Sequence, residues 1–138
     1  LIELYLSEAL GVPWDKVHDE AENLEHAISE ELEDRMDAAL GHPSFDPHGS
    51  PIPTRDGDIA TRDKIPLSAL PIGESARVVE VSDDDPSMLR YLTSLGVRLD
   101  TELHLLQLAP FEGPLTLRIG DSEHSISRVV ANNVFVGA

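Results

Sequence analysis

A chain of 138 residues, 41% hydrophobic and 26% charged, has the composition of one or two small globular domains rather than of a disordered chain. The net charge of −16 opposes direct contact with a phosphate backbone, and ten scattered basic residues offer little to displace its counterions. Cysteine is absent, which excludes disulfides and thiolate metal sites. No apolar run is long enough to span a bilayer, so the chain reads as cytoplasmic with no membrane partner.

Leu1, Ile2, Leu4, Leu6 and Leu10 recur at helical spacing from the first residue, and Gly11 is a natural stop. Pro13 suits the first turn of a second helix, whose apolar stripe is Val17, Ala21, Leu24 and Ile28. Ser29 can cap a third helix carrying Leu32, Met36, Ala39 and Leu40, ending at Gly41. Between 41 and 65, four prolines and three glycines interrupt all periodicity; the stretch predicts a connection with an ordered first half and a more polar, mobile second half.

From Pro66 the pattern is that of short strands. Ala76, Val78 and Val81 mark one, Leu103, Leu105 and Leu108 another, and Leu115, Leu117 and Ile119 alternate with Thr116 and Arg118. Ile126 and the run Val134 to Val136 mark two more. One short helix lies among them, with Asp85 as N-cap, Pro86 at its first position and Gly96 at its close. Five strands and one helix predict a small, partly open barrel. The fold class is therefore α+β, in three segments: a helical domain over 1–53, a linker over 54–65 and a β domain over 66–138.

The chemistry concentrates on the second helix. His18, Glu22, Glu25 and His26 stand three or four residues apart and share one face, and Glu3 on the preceding helix can approach it. Two imidazoles with carboxylates suit Mn²⁺, Fe²⁺, Co²⁺ or Zn²⁺, and without sulfur the set leans toward the harder ions. A solvated helix face has the same spacing, so spacing alone does not separate the two readings. His42 and His48 flank prolines and read as plain loop residues. Trp14 reads as a packing anchor. No nucleophile motif or phosphate loop is present, and nothing proposes an enzyme.

The segments KVHDEAENLEHAIS, ELEDRM and GSPIP resemble, in residue order, the dimerisation and metal-binding region of the diphtheria toxin repressor family of iron- and manganese-dependent regulators. That resemblance implies a homodimer and a DNA-binding winged helix that this chain lacks. It places Glu22, Glu25 and His26 at the activating metal site and Glu3 and His18 at an ancillary one, with further ligands upstream of Leu1. Iron-type members have cysteine where Glu22 stands and manganese-type members have glutamate, so the implied effector is Mn²⁺, with Fe²⁺ second.

Residues 66 to 137 resemble the SH3-like domain of these repressors and of ferrous-iron transport protein A. The similarity rests on PLSALPIGE (66–74), Leu95-Gly96-Val97 and APFEGPL (109–115), with Asp100 standing where relatives have glycine. Iron-type relatives draw ancillary ligands from this domain, which points to one of Asp83, Asp84 and Asp85, with Asp85 the candidate; helix capping by Asp85 and ordinary loop solvation are the alternative. The alternative to a sensor is an SH3-like adaptor whose carboxylates are merely solvated.

Overall fold

The computed structural model describes residues 1–54, 56–82 and 85–137, and the chain divides into two compact units, 1–61 and 62–138. In the first unit, α1 (Ile2–Leu10) ends at Gly11, whose φ of 69° supplies the left-handed cap that only glycine adopts cheaply. Pro13 is not in the second helix. It opens a separate turn, its carbonyl accepting the Lys16 and Val17 N–H groups, and α2 (Val17–Glu25) begins only afterwards. Ser29 caps α3 (Glu30–Ala39) by accepting the Leu32 N–H, as its sequence predicts. Leu6, Val17 and Ala21 form the buried seam between α1 and α2, with Ile2 and Val12 packed against it.

The connection after α3 is ordered where the site needs it. Phe45 and Pro51 form an antiparallel bridge, Ile52 N–H donates to the Ser44 carbonyl and Asp46 N–H to the Ser50 carbonyl. Inside this small loop, Asp46 Oδ1 accepts the backbone N–H groups of both His48 and Ser50. An aspartate that bonds its own following backbone is a turn former, and here it fixes its carboxylate at the same time.

Among the described residues the second unit contains six strands, one more than the alternation showed: β1 (Ile65–Pro66), β2 (Ser75–Val81), β3 (Glu102–Leu108), β4 (Leu115–Ile119), β5 (Ser122–Ile126) and β6 (Val134–Gly137). They are antiparallel in the order β1-β6-β2-β3-β4-β5. Among the described residues the sheet is not closed into a barrel; β1 and β5 are its two edges. β1 escapes a periodicity search because two residues cannot alternate. A 3-10 turn (Leu67–Ala69), α4 (Pro86–Ser94) and α5 (Arg128–Ala131) complete the unit. Leu103, Leu105, Leu115 and Leu117 from the central strands are buried with Leu89 and Leu92 of α4. Asp100 keeps the turn expected of glycine by adopting a φ of 68° itself, a conformation aspartate tolerates better than most residues.

Candidate metal centre

Helix α1 carries Glu3, and α2 carries His18 in its first turn and Glu22 a turn further on. His18 Nδ1 lies 2.9 Å from Glu3 Oε1, and His18 Nε2 lies 3.4 Å from Glu22 Oε1. One imidazole thus bridges carboxylates of two helices. Glu3, His18, Glu22 and Glu25 line a single depression of about 290 Å³. Glu33, from the first turn of α3, lines it too and was not singled out by sequence, because spacing within one helix says nothing about which neighbour faces it. His26 does not line the depression; it sits exposed at the C-cap of α2. Asp85, in the second unit, caps α4 by accepting the Ser87 N–H at 2.9 Å, while Asp83 and Asp84 lie outside the described residues.

A second group gathers around the other oxygen of Glu3, at His48, a loop residue as its sequence suggests but a buried one. His48 is fully buried, at 0% exposure. Its ring stacks on Trp14, with centroids 6.1 Å apart and planes 14° from parallel, and Nε2 lies 2.8 Å from the Trp14 carbonyl. A carbonyl only accepts, so Nε2 carries the proton and Nδ1 faces Glu3 Oε2 at 3.6 Å. Donor atoms of Glu3, Asp46 and His48 all lie within 4.8 Å of one another. Trp14 is therefore an orienting residue as well as a packing one. The signal for this group was the spacing Asp46-Pro47-His48-Gly49-Ser50, which has no helical or strand period and takes meaning only from the turn it forms.

The electrostatics match an unbalanced ligand set. Contact with His48 holds the Glu3 carboxyl below its usual range, against the burial that raises it, and His18 adds to the lowering. Burial pushes Asp46 up, despite the N–H groups of His48 and Ser50 that favour its charge. For His48, burial opposes the charged ring but is outweighed by Glu3, the Trp14 carbonyl and Asp46, so its pKa is raised. Two carboxylates held close and partly out of water, beside an imidazole with its tautomer set, fit a divalent ion that accepts mixed oxygen and nitrogen ligands. The first unit holds 15 of the 26 acidic residues and 3 of the 10 basic ones, so the cation-seeking charge sits where the ligands do.

Comparison with known proteins defines the class. Residues 1–54 match the family described as "Iron dependent repressor, metal binding and dimerisation domain", and residues 65–138 match the FeoA domain. The fold also superposes with a TM-score of 0.94 on a solved manganese-dependent transcriptional repressor that is 42% identical, covering 99% of this chain and 74% of the other. The chain belongs to the family of metal-dependent transcriptional repressors that includes the diphtheria toxin repressor.

Two further relatives show its range. A manganese-dependent transcriptional repressor solved in complex with manganese is 41% identical with a TM-score of 0.90, over 98% of this chain and 64% of that one. The iron-dependent repressor IdeR of Mycobacterium leprae is 34% identical over 109 residues, which are 70% of this chain and 47% of the relative. The chain spans about half the length of the curated relatives it matches. No helix among the described residues is long and apolar enough to cross a membrane.

Proposed function

We propose that this chain is the metal-sensing and dimerising portion of a Mn²⁺- or Fe²⁺-dependent DNA-binding transcriptional repressor of metal-homeostasis genes, acting in the cytoplasm. The observation that carries the reading is the convergence of buried His48 with Glu3 and Asp46 beside the Glu22/Glu25 helix face. In this reading Glu22, Glu25 and His26 serve the activating metal, together with ligands contributed from outside this chain. Glu3, Asp46 and His48 hold a second ion, and His18 stands between the two groups. The all-oxygen-and-nitrogen donor set favours Mn²⁺, with Fe²⁺ as the alternative effector.

The bound ion supplies positive charge that lets these carboxylates share one place. The residues themselves do the rest: His48 is aimed by Trp14, Asp46 by two backbone amides and Glu3 by His18. Sensing follows if metal prefers the arrangement in which attached winged helices fit DNA, since only differential affinity shifts a population. Leu10, Leu24 and Leu32 are exposed large apolar side chains on the helices of this unit, which supports a homodimer burying them. Nothing in this role asks for catalysis. The adaptor alternative leaves the burial of His48 between two carboxylates without a purpose.

The test is a Mn²⁺ titration followed by electron paramagnetic resonance, on the parent chain and on Glu22→Ala, His26→Ala and His48→Ala. Loss of one bound ion in the first two variants and of a different one in the third supports the reading. Undiminished Mn²⁺ binding in all three sinks it.

A further inference from the structure

We infer that Glu3 and Asp46 are each held to a single donor oxygen, and that this restriction makes the Glu3/Asp46/His48 triad select transition-metal dications such as Mn²⁺ against Ca²⁺. The inference rests on the metal reading of that triad and adds to it the atom each residue offers and the ions it rejects.

The restriction is visible in the hydrogen bonds. Asp46 Oδ1 accepts the His48 N–H at 2.9 Å and the Ser50 N–H at 3.0 Å. A carboxylate oxygen has two lone-pair directions, so this one is filled and Oδ2 remains. Glu3 is constrained from the opposite side: Oε1 lies 2.9 Å from His18 Nδ1, and Oε2 faces His48. His18 is itself steadied by Glu22 at 3.4 Å, so the restraint on Glu3 does not depend on a free-swinging ring. The third donor, His48 Nδ1, is a nitrogen whose orientation the Trp14 carbonyl sets.

The triad therefore offers two oxygens and one imidazole nitrogen, and neither carboxylate can swing to bind through both oxygens without breaking bonds already made. Ca²⁺ takes six to eight oxygens and often relies on bidentate carboxylates to reach that number, whereas imidazole suits the transition metals. Mn²⁺ accepts both donor types with fewer protein ligands. In this view His18 is a positioning residue for the triad, acting through Glu3.

The chain's one tryptophan, stacked on His48, reports on the triad directly. Mn²⁺ and Ca²⁺ are titrated separately into the parent chain, Asp46→Glu and His18→Ala, following Trp14 fluorescence, with circular dichroism confirming the fold of each. Asp46→Glu moves the carboxylate out of reach of its two amides, and His18→Ala frees Glu3 Oε1. The parent is expected to bind Mn²⁺ at least about a hundredfold more tightly than Ca²⁺, and each variant to narrow that ratio about tenfold by binding Ca²⁺ better.

An unchanged ratio in both variants while Mn²⁺ still binds overturns the restriction and leaves the triad standing. Equal Mn²⁺ and Ca²⁺ affinity in the parent overturns it as well. If Mn²⁺ leaves Trp14 unperturbed, or binds with full stoichiometry by calorimetry in both His48→Ala and the isosteric Asp46→Asn, the triad reading fails and the restriction goes with it.

Discussion

Replacing Phe111 by Asn and Glu112 by Gly together should stabilise the second unit. The two residues form the centre of the β3–β4 turn, with φ angles of 59° and 57°, closed by the Gly113 N–H donating to the Pro110 carbonyl at 3.1 Å. Two consecutive positive φ values with that bond are the pattern of a type I′ turn, which Asn-Gly adopts without strain. A left-handed conformation costs an ordinary L-residue roughly 1–2 kcal/mol. Phe111 is 99% exposed, so removing its ring forfeits almost no packing that would offset the gain. Gly113 must be left alone, because a Cβ there would meet the Ala109 Cβ at 2.6 Å.

The paired substitution is therefore expected to add about 1–3 kcal/mol, part of the relief being returned as the larger conformational freedom of glycine in the unfolded chain. For a unit of this size that corresponds to a rise in Tm of roughly 4–8 °C per kcal/mol, readable by thermal unfolding followed through the β signal in circular dichroism. Unchanged or lower stability would show that the turn is not strained in solution, or that the Phe111 ring makes a stabilising contact, and would refute the reasoning.

Four further outcomes follow from other parts of the structure. Mn²⁺ affinity should fall as pH is lowered through the raised pKa of His48, because the ion needs the Nδ1 lone pair. In the metal-free chain the sign is reversed: a folded pKa above the unfolded value means that charged His48 stabilises the fold at low pH, and that contribution disappears as pH rises through the raised value. Calorimetric Mn²⁺ titrations across pH 5.5 to 8, together with the pH dependence of urea midpoints, check both, and an affinity independent of pH would remove His48 from the ligand set. Leu105→Ala, at a position with 0% exposure between β2 and β4, should cost about 2–5 kcal/mol in urea unfolding. Asp85→Ala should cost about 1 kcal/mol by removing the Ser87 cap and leave Mn²⁺ stoichiometry unchanged; a lost equivalent of metal would instead make Asp85 a ligand.

Much of this molecule is written locally in its sequence. Helices α1, α3 and α4 with their caps at Gly11, Ser29 and Asp85, and the alternation of Leu115, Leu117 and Ile119, each depend on neighbours within a few residues, which periodicity and cap chemistry report directly. The face bearing His18, Glu22 and Glu25 was legible for the same reason, since a helix converts spacing into direction. The residue order around it also carried the family resemblance.

What local pattern does not encode is which separate segments meet. The two-residue strand β1 exists only because β6 pairs with it, and the open order of the sheet is a property of six strands together. His48 and Trp14 are 34 residues apart, and His48 and Glu3 are 45 apart; proline-rich sequence around a histidine describes a surface loop equally well. Tertiary packing made that loop fold back, bury an imidazole at 0% exposure and turn it toward two carboxylates. Burial and the direction of a lone pair are set by the whole of the first unit, so the chemistry of His48 could be decided nowhere but in three dimensions.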